Sequence, residues 1–182
     1  MRGPRPGAFF DRDGVLNERP APGEFVRSTA DFRWIRGAAD AVAVLQARGY
    51  VAIVVSNQRG IGEGSVSWST IGTIERLIQD ELARRGSAIA GFHYCPHRRD
   101  AGCECRKPAP GLLLRAAREH GIDLPASVMI GDAESDVEAG RAAGCRTVRI
   151  AARGEPSAAD LVVPSLSEAV AAWLPLDAPR RP

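Results

Sequence analysis

Short apolar runs alternate with amphipathic stretches along almost the whole chain, and no other feature of the sequence limits the fold so strongly. Residues 8–10, 50–55, 89–94, 128–130, 147–150 and 161–163 read as strands. The run 50–55 is β-branched and lacks a period of two, as expected of a strand buried on both faces. Between the runs, residues 36–48 set Ala38, Ala41, Val42 and Leu45 at helical spacing, with Gly49 placed to end the helix. Ser67 or Ser69 can cap a helix carrying Ile71, Ile74, Ile78 and Leu82 on one face. Further helices are expected over 111–120, 135–143 and 167–173, the first two closed by Gly121 and Gly144. Strands alternating with helices predict βαβ units, hence an α/β fold with a doubly wound, mostly parallel sheet and helices on both faces.

The 182 residues are 45% hydrophobic and 25% charged, which excludes a disordered chain and suffices for one core without disulfides. A single domain over 1–182 is expected, with 1–7 and 176–182 as frayed tails. A net charge of +2 argues against a nucleic-acid partner. No run reaches the ~18 apolar residues of a membrane span, and the first residues lack the apolar core of a signal peptide. The expectation is therefore a cytoplasmic monomer with no membrane partner.

In an open α/β sheet, ligands sit beyond the carboxyl ends of the strands. Asp11-Arg12-Asp13-Gly14, Ser56-Asn57-Gln58, the loop leading to Lys107, and Gly131-Asp132 all follow expected strands, so the reactive residues gather at one edge. Asp11 and Asp13 would repel each other unless a cation compensates or one is protonated. The plain alternative is an Asx-type turn with two solvated acids. A calcium loop is rejected, because position twelve of such a loop holds Pro22 instead of glutamate. Asp132 and Asp136 form a second acidic pair. Asp136 also suits a helix N-terminus, whereas Asp132 precedes the helix. Asp11 and Asp132 on neighbouring strand ends would make a hard-oxygen pocket for Mg²⁺, with Ser56 and Lys107 as donors to a phosphate. All but one of the 24 basic residues are arginine, and the exception is Lys107, which marks a position wanting a compact ammonium. The constellation reads as phosphoryl transfer, without the glycine-rich loop of a nucleotide kinase.

These four stretches, DRDG at 11–14, SNQ at 56–58, Lys107 in CRKPAPG and GDAESD at 131–136, resemble in order the four motifs of the haloacid dehalogenase (HAD) superfamily. The resemblance implies a Mg²⁺-dependent phosphatase working through an aspartyl-phosphate. Asp11 is then the nucleophile, and Asp13 the acid that protonates the leaving oxygen and later activates water. Ser56 and Lys107 hold phosphate, with Asn57, Gln58 and Arg59 as neighbouring substrate contacts. Mg²⁺ rests on Asp11, the Asp13 carbonyl and Asp132, while Asp136 orients Lys107 or a metal-bound water.

Cys95, His97, Cys103 and Cys105 supply the three thiolates and one imidazole of a tetrahedral structural Zn²⁺ site over residues 95–105. Free thiols or a redox pair are the alternatives, and the distant Cys145 reads as a small buried hydrophobe. A zinc loop joined to CRKPxPG is similar to the heptose bisphosphate phosphatases and the related histidinol-phosphate phosphatases, which are small and lack a large cap domain. EFVRSTADFRWIRGAADAV, VVSNQRGIGEG and SDVEAGRAAG bring the heptose enzymes nearer. The resemblance implies loss of the 7-phosphate from D-glycero-D-manno-heptose 1,7-bisphosphate, with Arg106 on the retained phosphate. Histidinol phosphate is the main alternative substrate; a DNA 3′-phosphatase or a non-catalytic binding module ranks lower. Glu63 and Ala133 stand where the family commonly carries basic residues.

Overall fold

The computed structural model describes residues 3–176. Six strands form one parallel sheet in the order β3-β2-β1-β4-β5-β6. They are β1 (Arg5–Phe10), β2 (Val51–Asn57), β3 (Gly91–Cys95), β4 (Ile122–Gly131), β5 (Arg146–Ile150) and β6 (Leu161–Val163). The helices are α1 (Ala38–Ala47), α2 (Arg59–Gly62), α3 (Trp68–Ala83), α4 (Gly111–His120), α5 (Glu134–Ala142) and α6 (Leu166–Leu176).

Alternation along the strands divides the apolar residues between two cores. Ala8, Phe10, Ala52, Val54, Val128 and Ile130 meet α1, α3 and α6 on one face. Phe9, Ile53, Val55 and Met129 meet Leu112, Leu113 and Ala116 of α4 and Ala139 of α5 on the other. Each fully buried isoleucine or leucine contributes about 1.5–3 kcal/mol by leaving water. Helix α3 begins where Ser67 Oγ accepts the N–H of Thr70 at 3.0 Å, and buries Ile71, Ile74, Ile78 and Leu82. The doubly wound α/β expectation holds.

The boundaries that depart most from the sequence reading are the starts of β1 and β4. Residues 5–7, expected in a frayed tail, are the first half of β1, where Arg5 pairs with Ile122 and Gly7 with Val51. Strand β4 starts six residues before the expected Val128. Its pairing with β1 is interrupted between Pro6 and Ala8, and Ser127 fills the break: its Oγ accepts the N–H of Gly7 at 2.8 Å and donates to the carbonyl of Asp123. Of the expected tail 176–182, Leu176 ends α6 and the remainder lies outside the described residues.

Candidate active site

The central strands β1 and β4 deliver their last residues side by side, and the N–H of Asp11 donates to the carbonyl of Ile130 at 2.9 Å. Asp11, Asp132 and Asp136 are thereby brought together, with one carboxylate oxygen of each within 4.8 Å of the others. Two glycines make this approach possible. Gly14 turns the chain at φ +90°, and a Cβ there would stand 1.8 Å from Asp132 Oδ2. A Cβ on Gly131 would stand 2.2 Å from Cβ of Asp136.

Lys107 is 3% exposed, and its ammonium is fully used. Nζ donates to Asp11 Oδ1 at 2.8 Å and to the Val55 carbonyl at 2.8 Å, and pairs with Asp136 Oδ1 at 2.6 Å. Three acceptors around one nitrogen suit an ammonium and not a planar guanidinium. Burial opposes the charge on Lys107, but the fields of Asp11 and Asp136 outweigh it and raise its pKa. Asp136 divides its oxygens: Oδ1 takes Lys107, and Oδ2 accepts the N–H of Ala133 at 3.0 Å, closing the first turn of α5. Both sequence readings of Asp136, partner of Lys107 and helix-terminal acid, describe the same side chain.

The residues of the second motif take distinct places. The Ser56 hydroxyl is buried and accepts from Gln58 Nε2 at 3.2 Å. Gln58 also donates to Asp13 Oδ2 at 2.9 Å. Asn57, expected as a substrate contact, lines the cleft and also engages the backbone of Lys107 through its amide, donating to the carbonyl and accepting the N–H, each at 3.0 Å. It splints β2 to the loop that carries the lysine. Asp13 accepts from Asn17 at 2.9 Å and pairs with the buried Arg12 at 3.0 Å. Arg59 runs along α2 to Glu63 at 2.6 Å and lies over the Phe25 ring at 4.9 Å, so the acid that departs from the family pattern holds a neighbouring arginine.

Arg19 escaped the sequence reading. It sits in the aperiodic segment 17–33, where nothing marks one arginine among many. Its Nε donates to Asp132 Oδ2 at 2.6 Å and its Nη2 pairs with Oδ1 of the same carboxylate. Burial, aided by the charges of Asp11 and Asp136, pushes Asp132 up to about 6 despite this partner. Three carboxylates thus face two cations, Lys107 and Arg19. The surplus negative charge and hard oxygen donors at Asp11 and Asp132 fit a Mg²⁺ ion.

Beside this centre, Cys95, His97, Cys103 and Cys105 close into a cluster. His97 Nδ1 lies 3.2 Å from Cys105 Sγ, while Cys95 and Cys103 are 3.6 Å apart at sulfur. Burial and the neighbouring thiols push Cys105 up to about 12, the effect of crowding thiols with no cation between them. The Cys₃His donor set fits Zn²⁺. The loop is tied to the site: Arg106 donates to the His97 carbonyl at 3.3 Å, and Gln58 N–H to the Cys95 carbonyl at 2.8 Å.

The floor of a cleft of about 680 Å³ is formed by Asp11, Asp13, Ser56 and Lys107, and its walls carry Arg19, Arg59, Arg99 and Arg106. Segment 17–33 supplies one wall through Pro20 to Val26.

The HAD-hydrolase-like family model matches residues 104–169. A D-glycero-alpha-D-manno-heptose-1,7-bisphosphate 7-phosphatase of Mycobacterium bovis is 41% identical over 166 residues, covering 88% of this chain and 87% of that one. A D-glycero-beta-D-manno-heptose-1,7-bisphosphate 7-phosphatase of Rhodopseudomonas palustris is 38% identical, covering 77% and 80%. Among solved structures, a D,D-heptose 1,7-bisphosphate phosphatase from B. bronchiseptica, complexed with magnesium and phosphate, superposes with a TM-score of 0.85 at 28% identity, covering 94% of this chain and 99% of that one. With this likeness along nearly its full length, the chain belongs to the HAD-like D-glycero-D-manno-heptose-1,7-bisphosphate 7-phosphatase family.

Proposed function

We propose that this chain hydrolyses the 7-phosphate of D-glycero-D-manno-heptose 1,7-bisphosphate. The observation that carries the reading is Asp11 set between Lys107 and Asp132 at the bottom of a cleft rimmed by four arginines. A carboxylate nucleophile, a buried ammonium and a cation-seeking carboxylate suit one phosphoryl group. The rim arginines suit a second phosphate on the same small sugar.

An Asp11 oxygen attacks phosphorus, and the bond from phosphorus to the sugar oxygen breaks. Asp13 gives its proton to the departing oxygen. For this step it turns from the Arg12, Asn17 and Gln58 donors that hold it as a carboxylate at rest, and takes that proton from solvent. Asp13, now a carboxylate, takes a proton from water, whose oxygen attacks the phosphorus of the aspartyl-phosphate. The bond from phosphorus to Asp11 breaks, and inorganic phosphate leaves. Ser56 and Lys107 hold the phosphoryl oxygens, and Asp136 keeps Lys107 aimed. Asp11, the Asp13 carbonyl and Asp132 would hold Mg²⁺, which when bound would offset the charge of anion meeting anion. Cys95, His97, Cys103 and Cys105 would hold a structural Zn²⁺, which would fold the short loop that presents Arg106 and Lys107.

The test is phosphate release from both anomers of heptose 1,7-bisphosphate, histidinol phosphate and a 3′-phosphorylated oligonucleotide, with and without Mg²⁺. Fast turnover of one heptose bisphosphate, abolished in Asp11→Asn with the fold intact, is expected. Faster turnover of histidinol phosphate would move the chain to that substrate, and unchanged release in Asp11→Asn would end the mechanism.

A further inference from the structure

A second cluster of metal-ligating side chains lies away from the catalytic cleft, where the edge strand β3 meets the end of α4. His93 of β3 and Glu119 and His120 of α4 bring one donor atom each to within 4.8 Å of one another. Helix α4 returns across the sheet from the cysteine loop to the start of β4. Its last residues therefore stand toward the opposite edge from Asp11 and Ser56.

Three observations on this spot point to a ligand. The His93 side chain is 6% exposed, and its Nε2 is buried with no hydrogen-bond partner among the described residues. A buried imidazole nitrogen left without a partner is unfavourable and calls for a ligand. Next, the His120 ring meets the His93 ring edge-on at 5.7 Å, while a Glu119 carboxylate oxygen lies 3.8 Å from His93 Nε2. That separation exceeds a hydrogen bond but is close to the spacing of about 3.4 Å between donors around a tetrahedral zinc with bonds of about 2.0–2.1 Å. Last, the space is made by Gly91, two residues before His93 on the same strand face. A Cβ there would stand 2.5 Å from His120 Nε2 and 3.0 Å from His93 Nε2. The strand gives up a side chain where two imidazole nitrogens converge.

We propose that His93, Glu119 and His120 bind a divalent transition metal, Zn²⁺ first, at a peripheral site separate from the cysteine cluster. Two imidazoles and one carboxylate select zinc and its neighbours over Mg²⁺. His93 is fixed in the sheet, and the exposed Glu119 and half-buried His120 close on it from the helix end. Glu119 thereby leaves a loose pairing with Arg115 at 4.0 Å. The bound ion staples the last turn of α4 to an edge strand, and water takes the fourth position.

The experiment uses the full chain with zinc already in the cysteine cluster, desalted and titrated with ZnCl₂ by calorimetry. One further equivalent with a low-micromolar Kd is expected, together with a rise in Tm of several degrees. His120→Gln, at a helix end, and His93→Phe, which keeps the core filled, should each weaken that equivalent at least tenfold. His120→Gln should melt like the parent without added zinc, so lost binding is not lost folding. Cobalt in this site should show weak d–d bands and no near-ultraviolet thiolate charge transfer. No further equivalent, equal binding in both variants, or a thiolate band on the added cobalt would each overturn the proposal.

Discussion

Arg19 clasps Asp132 across 113 residues of sequence, both carboxylate oxygens facing one guanidinium. The carboxylate it covers is the one proposed for Mg²⁺, so the arginine and the ion would compete. The Arg19 side chain is 54% exposed, and a pair so open to water is worth about 0.2–1 kcal/mol. Arg19→Ala should therefore lower the Mg²⁺ concentration for half-saturation by roughly 1.4- to fivefold. Calorimetric Mg²⁺ titration of both proteins reads this directly, and weaker binding in the variant would mean that Arg19 assists the ion.

Asp132 also sets a pH dependence. In Mg²⁺-free buffer, burial first, then the charges of Asp11 and Asp136, push it up to about 6 from 3.8. A carboxyl with a raised folded pKa binds its proton more tightly folded than unfolded. Its contribution to stability is whole below pH ~4 and lost as pH rises through about 6. Asp132→Asn removes the titration. Its unfolding free energy from denaturant melts should gain on the parent between about pH 4.5 and 7, by an amount on the order of 2 kcal/mol. A difference that stays flat with pH would show that Asp132 titrates at its ordinary value.

Asn57 acts on Lys107 through backbone only. Asn57→Ala should cost about 1–3 kcal/mol of stability, since a buried amide and carbonyl lose partners. It should lower kcat more than it raises KM, because the misplaced ammonium matters most as charge develops. Steady-state kinetics beside thermal melts will show this, and a pure KM effect would return Asn57 to the role of substrate contact.

Thiol labelling distinguishes the four cysteines. With zinc bound, no thiol should react quickly at pH ~8: three are ligands, and burial pushes Cys145 up to about 12. Chelation should release Cys103, which burial opposes but hydrogen bonds from its neighbours lower to about 7, as the fast thiol, with Cys95 and Cys105 slower and Cys145 silent. A fast thiol in untreated protein would remove the structural zinc.

Much of this arrangement was legible beforehand because strand ends carry chemistry. Asp11, Ser56, Lys107 and Asp132 each follow an apolar run, and a parallel sheet brings such ends to one edge. The solitary lysine was informative because three converging acceptors exclude a guanidinium. Arg19 was not legible: segment 17–33 has no periodicity, and its path depends on contacts such as Asn17 bridging to Asp13 and Trp34. The turn of Asn57 toward Lys107 was hidden because it depends on a partner 50 residues away. The early start of β4 was missed because Pro125 and the interrupted pairing mask strand character until Val128.

The reacting carboxylates rise from the two central strands, whereas the rim arginines ride on segment 17–33, α2 and the zinc loop. Chemistry and selectivity are thus anchored in different parts of the molecule. Loop grafts from a relative could redirect which sugar is accepted without retuning the hydrolytic core, which makes the scaffold a natural starting point for engineered dephosphorylation.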